Sequence, residues 1–272
     1  IPLIGSSLRS VLIGGDEVSS NTLLIFFNFH TAVFPILILL LMAYHFWRVR
    51  KAGGVIVPGQ EVREMIPVYP NLVYREFIVA LALLAALLVF SVFFNAPLLA
   101  KANPDLSINP TKAPWYFAGI QELLMHFHPF IAAFLIPFAI VAGLAALPYL
   151  NLKEEHSAVW FHSDKAKEAA KFSAAAACVI TTLLVIINEY LPDFETLLPW
   201  LNPFISNGII PLIILLIIVW YFYKYVSRKY KLTLIEVVQT MFVFVTTAFI
   251  ILTIIGIFFR GVDMALAFPW NV

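Results

Sequence analysis

The stretch that decides the fold is Thr22–Trp47, TLLIFFNFHTAVFPILILLLMAYHFW, which contains no Asp, Glu, Lys or Arg. About 20 such residues, each rising about 1.5 Å along an α-helix, cross the hydrocarbon core of a bilayer. Arg48, Arg50 and Lys51 follow directly, and basic residues in this position mark the cytoplasmic end of a membrane helix. The stretch therefore predicts a membrane-spanning helix that ends in the cytoplasm.

Two histidines, His30 and His45, lie fifteen residues apart inside this predicted helix. Fifteen helical steps separate them by roughly 22 Å along the axis and by about 60° around it, so that each lies in a different leaflet. Histidine in a membrane helix is costly and usually faces a group that satisfies it. The pair is typical of two cofactor ligands stacked across a bilayer. The alternatives are imidazoles bonded to neighbouring helices and a proton relay in a transporter.

The composition is that of an integral membrane protein. Apolar residues make up 62% of the 272 residues and charged residues only 12%, whereas soluble domains carry about 25% charged residues. The net charge of +1 gives no indication of a nucleic-acid partner. The single cysteine, Cys178, excludes an internal disulfide and a cysteine-ligated cluster.

Six apolar segments are long enough to cross a bilayer as helices, and none alternates with the period of a strand. They predict an all-α, polytopic transmembrane helix bundle of about six spans, with short interfacial helices in the loops. The predicted spans are 22–47, 73–97, 129–150, 172–191, 208–226 and 234–258.

The charges of the connecting segments predict how these spans are oriented. The connections 48–75, 151–171 and 224–231 hold 13 of the 17 Lys and Arg residues, and cytoplasmic loops carry such an excess. Both chain ends and the connections 98–128 and 192–207 then lie on the outer side. The first of the two histidines is accordingly near the outer face, and the second is near the inner face.

Two parts of the sequence resemble a known family. The resemblance to the second haem-binding helix of cytochrome b, the quinol-oxidising subunit of cytochrome bc-type complexes, rests on Ile1–Gly5 (IPLIG), Gly14-Gly15, Phe29-His30, Pro35 and His45–Lys51 (HFWRVRK). The form is closer to the chloroplast and cyanobacterial branch. Asn109–Phe117 (NPTKAPWYF) is similar to the quinol-site loop of the family, which usually reads Pro-Glu-Trp-Tyr. The resemblance covers about residues 1–150.

The resemblance implies two b-type haems. His30 would bind the iron of the low-potential haem near the outer face, and His45 that of the high-potential haem near the inner face. In the family each iron takes its second histidine from an earlier helix, which this sequence lacks. We expect those N-terminal cytochrome b helices to precede Ile1 or to form a separate chain. Arg50 matches a position near the quinone-reducing pocket, where a cation could steady a haem propionate or a reduced quinone.

The resemblance also implies three regions along the chain. Residues 1–51 hold the second haem-ligand helix and the outer loop before it. Residues 52–150 correspond to the C-terminal region of cytochrome b, with the quinol-site loop at 98–128. Residues 151–272 comprise a cytoplasmic connection, which is expected to rest on the headgroups, and three extra transmembrane helices.

The quinol chemistry is expected in the loop after the second span. Trp115 and Tyr116 would line its pocket, whereas Pro114 replaces the acidic residue of the family motif and cannot take a proton. Glu122 is the nearest carboxylate that could accept a proton instead, and its apolar sequence neighbours predict a raised pKa. The alternative is that Glu122 pairs with Lys112 or with another outer-face residue.

Three further residues of the loop are candidates for proton handling. Asp105 is a second, weaker choice of acceptor. His126 and His128 could pass a proton onward, or they could occupy a solvated position at the membrane edge.

The resemblance implies a subunit of a quinol:cytochrome c oxidoreductase. Quinol bound at the outer face would give one electron to a Rieske iron–sulfur protein and one to the outer haem, and the second electron would reduce quinone at the inner face with proton uptake. A c-type cytochrome, a dimeric complex and the inner (plasma) membrane of a bacterium are the expected partners and location. The rival interpretations are a non-catalytic membrane subunit of a redox complex and a secondary ion transporter.

Overall fold

A computed structural model of the chain describes residues 5–54, 66–95, 101, 103, 111–149 and 159–271. Within these ranges the regular structure is helical, apart from one isolated β-bridge between Arg260 and Leu266. The all-α class is therefore confirmed. The chain divides into two units, residues 1–108 and 109–272.

In its described residues the first unit contains the short helix Val68–Asn71 and three longer helices, α1 (Gly5–Ile13), α2 (Ser20–Lys51) and α3 (Val73–Phe93). α2 and α3 are long and apolar enough to cross a membrane, as the sequence predicts. α2 ends at two glycines with positive φ, where the Gly54 and Gly53 N–H groups donate to carbonyls in the last turn of the helix. These bonds satisfy carbonyls that the end of a helix leaves open. The helices α2 and α3 bury none of their described side chains.

The second unit contains six helices in its described residues: α4 (Ala118–His126), α5 (Ile131–Ala146), α6 (Asp164–Tyr190), α7 (Phe194–Leu197), α8 (Ile205–Tyr230) and α9 (Leu234–Phe258). Three of them, α6, α8 and α9, are long and apolar enough to cross a membrane. The predicted span at 129–150 corresponds to α5, which is apolar but shorter.

The start of α6 differs from the sequence-based prediction. The helix begins at Asp164, where the Ser163 hydroxyl accepts the N–H of Ala166 at 3.1 Å and caps the first turn. The prediction began this span at residue 172 and assigned the charged residues before it to a connection on the membrane surface. The predicted start of the helix is therefore wrong, because the alanine, lysine and glutamate residues of 164–171 are good helix formers and extend the apolar helix.

Helices α6 and α9 pack side by side in the same direction. At their N-terminal ends the Ser163 N–H donates to Glu236 of α9 at 3.1 Å, and at their C-terminal ends Arg260 donates to Glu189 of α6 at 2.7 Å. The face that α6 buries is built from small residues, which allow two membrane helices to approach closely. These residues are Ala166, Ala169, Ala170, Ser173 and Ala177.

Glycines allow α4 to pack closely against α9. A Cβ atom on Gly119 would lie 2.6 Å from Thr253 Oγ1 and 2.9 Å from the Phe249 ring, and a Cβ on Gly256 would lie 3.0 Å from Ala118. At each of the two glycines an added methyl group would fit only if neighbouring atoms moved. The contact therefore fixes the position of α4, which carries Glu122, against the end of α9.

Gly119→Ala is expected to lower the free energy of unfolding by about 1–3 kcal/mol, because the added methyl group overpacks the contact with α9. Gly143→Ala in α5 is the matched control, since a Cβ there meets no atom within 4 Å. Both variants gain the same helix propensity, so the difference between them isolates the clash. Denaturant unfolding of the purified protein measures it, and equal midpoints for the two variants would contradict the expected contact.

Candidate functional site

The two histidines of α2 are exposed on an otherwise apolar helix. Among the described residues, neither imidazole makes a hydrogen bond or an ion pair, and the only ring contact at either is that of His45 with its neighbour Phe46, at 5.8 Å between centroids. His30 lies in a π-helical turn, Phe29–Val33, that interrupts the α-helix. Free imidazole nitrogens on an apolar surface have the chemistry of axial haem ligands.

The Gln121 side chain bonds the loop before α4 at two points. Gln121 accepts the N–H of Ala113 at 2.7 Å through Oε1 and donates to the Thr111 carbonyl at 2.7 Å through Nε2. The following residues are presented outward: the Trp115 and Tyr116 side chains are 68% and 55% exposed, with their rings edge to face at 5.5 Å. Aromatic faces held in this way can line a binding surface for an apolar ring.

Glu122 is fully buried and paired with Arg260. The guanidinium donates to both carboxylate oxygens, from Nε to Oε1 at 2.8 Å and from Nη2 to Oε2 at 2.9 Å. Arg260 Nη1 also donates to Glu189 Oε2 at 2.7 Å and to the Met264 carbonyl at 3.0 Å. Two carboxylates thus face one guanidinium, and these bonds join the ends of α4, α6 and α9. We call Glu122, Glu189, Arg260 and the adjacent His126 the carboxylate–arginine cluster.

The environment of Glu122 corrects one sequence-based expectation. Burial raises the pKa of the Glu122 carboxyl, but the neighbouring His126 ring and the Arg260 guanidinium more than offset it, so the pKa lies below its ordinary value. The predicted raised pKa is therefore wrong. The alternative, pairing with an outer-face residue, is confirmed in Arg260, which is 138 positions away in the sequence. Lys112 instead donates to the Ile257 carbonyl at 2.6 Å and to the Arg260 carbonyl at 3.1 Å at the end of α9.

The two histidines after Glu122 have different surroundings. His126 Nε2 lies 3.5 Å from Glu122 Oε2, and the side chain is 10% exposed. Both ring nitrogens of His126 are buried without a hydrogen-bond partner among the described residues, so its predicted solvated position is wrong. His128 accepts the N–H of Phe130 at 3.3 Å, and its ring packs edge-on against Phe204 at 5.2 Å between centroids.

The remaining predicted site residues are not brought into this cluster. Pro114 is exposed, and its carbonyl accepts the Phe117 N–H at 2.8 Å in the turn before α4. Arg50 is exposed near the end of α2 and makes no ion pair with a described residue. Asp105 lies outside the described residues. No three His, Cys, Asp or Glu side chains converge as a metal site in the described ranges.

Residues 1–110 match the family model described as cytochrome b (N-terminal)/b6/petB. This part of the chain is similar to the cytochrome b family. The cytochrome b segment contains α2 with both histidines and all of α3, whereas Trp115, Tyr116 and Glu122 lie beyond its last matched residue. No solved structure matches the chain.

The match gives residues 1–110 a general role. The chain is an integral membrane protein with a segment similar to cytochrome b, and this similarity supports a haem-binding subunit of a bc- or b6f-type electron-transport complex. His30 and His45 both lie on Ser20–Lys51, a helix that is long and apolar enough to cross a membrane.

Two residues of the carboxylate–arginine cluster were not predicted as site residues. Glu189 and Arg260 lie at the ends of α6 and α9, which the sequence predicts only as extra transmembrane helices. A charged residue at the end of an apolar span is a recognisable signal, because it has to find a partner when it is buried. The sequence alone does not say which of several such residues are partners.

Proposed function

We propose that the chain is the cytochrome b subunit of a bc-type complex in a bacterial inner membrane, where it takes part in quinol oxidation at the outer face and quinone reduction at the inner face. The observation that carries the proposal is the pair His30 and His45 on α2, which lie on an exposed apolar surface and make no hydrogen bond or ion pair to any residue that the structure describes. Their imidazoles would each provide one axial nitrogen to a b-type haem. The second axial histidine of each haem would come from cytochrome b helices outside this sequence.

The bound haems would supply electron transfer across the membrane; the chain itself supplies ligands, walls and proton-holding groups. Trp115 and Tyr116 would form part of the wall of the quinol site, with the Tyr116 hydroxyl available to a quinol oxygen. Arg50 would steady negative charge near the inner haem. A single cysteine cannot ligate an iron–sulfur cluster, so the Rieske centre and the c-type haem belong to partner proteins.

The proton from quinol is assigned to Glu122 together with His126. The Glu122 carboxylate lies 3.5 Å from His126 Nε2, so the two side chains would hold a proton from quinol between them. Glu122, Glu189 and Arg260 together carry one excess negative charge, which such a proton would balance. Glu122 is therefore proposed as the charge that holds the proton beside the quinol site.

The reduced-minus-oxidised visible spectrum of the purified complex tests the proposal. We expect b-type haem bands that decay on oxidation, together with quinol-dependent reduction of a c-type cytochrome. A secondary transporter would show no such bands. A non-catalytic membrane subunit would show the bands, but its complex would turn over equally well when Trp115 and Tyr116 are both replaced by alanine.

Glu122→Gln is expected to lower quinol-dependent turnover by roughly 100-fold, because glutamine carries no negative charge and cannot take a proton. The matched control is Glu189→Gln, which also removes a carboxylate from Arg260 but lies on another helix. Turnover per haem, measured at several pH values, should fall only for Glu122→Gln. An equal fall in both variants would show that the pair is purely structural.

A further inference from the structure

Three π-helical turns occur in the described residues, and each precedes a proline in the same way. The turns are Phe29–Val33, Ile131–Leu135 and Ile205–Ile209, and the prolines two residues beyond them are Pro35, Pro137 and Pro211. In each case the residue between turn and proline donates its N–H to the carbonyl five residues back. The regularity holds in both units of the chain and therefore has a local cause.

Proline explains the turns. Its nitrogen has no hydrogen to donate, and in an α-helix its ring clashes with the carbonyl four residues back. A wider turn just before the proline moves that carbonyl away without breaking the helix. In α2 the Thr31 hydroxyl also donates to the Phe27 carbonyl at 2.7 Å, next to the widened turn. Pro35 is therefore the residue that imposes the π turn on α2.

The position of this turn matters because it begins one residue before His30, and the rest of it lies between His30 and His45. A π turn holds one residue more than an α turn, so the fifteen steps from His30 to His45 act as about fourteen α-helical steps. Relative to a regular helix, this changes the angle between the two imidazoles around the helix axis by about 100°. The angle goes from roughly 60° in one direction to roughly 40° in the opposite direction. The other two π turns contain no candidate ligand.

We infer that Pro35, acting through the π turn Phe29–Val33, sets the direction of His30 relative to His45 and so positions the outer imidazole for its iron. Pro35 is a positioning residue in this role, since it offers no ligand itself. The inference rests on the proposed function, in which both histidines bind haem. It adds that a spacing of fifteen residues directs both imidazoles to their irons only when Pro35 imposes the π turn.

The test is a pair of changes that compensate each other. Pro35→Ala permits an α turn and rotates His30 by about 100°, whereas deletion of Ala32 with Pro35 retained keeps the π turn and shortens the spacing by one residue. Each change alone is expected to lose roughly half of the b-type absorbance per subunit or to shift the midpoint potential of one haem. A chain with both changes has a regular helix in which the two imidazoles keep their original angle to each other. It is expected to bind both haems.

Pro137→Ala is the matched control, because it removes a proline after the same kind of turn in a helix without a candidate ligand. Spectra and potentials are measured on the full complex in membranes and are normalised to the amount of subunit. The inference is overturned if Pro35→Ala leaves the spectrum and potentials unchanged, or if the combined variant does not recover. Absence of b-type bands from the unmodified complex would instead overturn the proposed function.

Discussion

Replacing His45 by leucine is expected to remove one b-type haem and to abolish quinol-dependent electron transfer, and His30→Leu is expected to do the same at the other face. Leucine provides no nitrogen to an iron, and electrons that cross the membrane have to pass both haems. Neither imidazole has a hydrogen bond in the described structure, so its replacement removes no contact that holds α2. The expected loss is therefore one of cofactor and activity, with the helix retained.

The haem content of each variant is measured as the pyridine haemochrome per subunit, and turnover as quinol-dependent reduction of a c-type cytochrome. Phe46→Leu is the matched control: Phe46 is adjacent to His45, is 58% exposed and has no ligand atom. Its haem content and turnover are expected to equal those of the unmodified complex. Full haem content in His30→Leu or His45→Leu would contradict the assignment of that residue as a ligand.

Arg260→Met is expected to lower the free energy of unfolding by about 3–5 kcal/mol, the cost of leaving a buried charge without its partner. Glu122 is 0% exposed, and both of its carboxylate oxygens accept hydrogen bonds from the Arg260 guanidinium. Glu189 loses its contact with the same side chain. Lysine cannot reproduce the two-bond fork, so Arg260→Lys is expected to recover only part of the loss.

Unfolding of the purified complex in denaturant measures this loss. The double variant Arg260→Met with Glu122→Gln removes the unpaired charge and is expected to be more stable than Arg260→Met alone. A double variant that is less stable than Arg260→Met would show that the cost arises from packing and not from the buried charge.

Acid provides a second test of the same pair. Since the pKa of Glu122 is held below its ordinary value, its ionised form contributes stability that is fully present above the unfolded-state pKa of about 4.3. That contribution is lost as the pH falls through the lower pKa of the folded state. The stability of Arg260→Met is therefore expected to depend less steeply on pH in this acidic range.

Features that depend on neighbouring residues in the sequence were predicted well. The span 234–258 is found as α9 with the same limits, because Thr233 and Glu236 cap its start and an apolar run fills its length. The start of α6 was missed because charged helix formers look like a loop when only apolar residues are counted. The helical period and local caps determine such limits, and both are visible in the sequence.

Features that depend on distant contacts were not predictable in the same way. The partner of Glu122 lies 138 residues away, and nothing in the spacing of either residue joins them. Apolar neighbours along α4 predicted a raised pKa, whereas the residues that lower it come partly from beyond α9. The loop residues Trp115 and Tyr116 belong to a motif visible in the sequence, but the hydrogen bonds from Gln121 to Thr111 and Ala113 just before them are not.

The parallel arrangement of α6 and α9 has a consequence for biosynthesis. Two adjacent spans that point the same way cannot be consecutive, and α8 has to cross back between them. During translation α6 therefore enters the bilayer before the surface that covers its row of alanines exists. This face of α6 can be buried only after α8 and α9 have been synthesised. Arg260, just beyond α9, is the last residue of the carboxylate–arginine cluster to be synthesised.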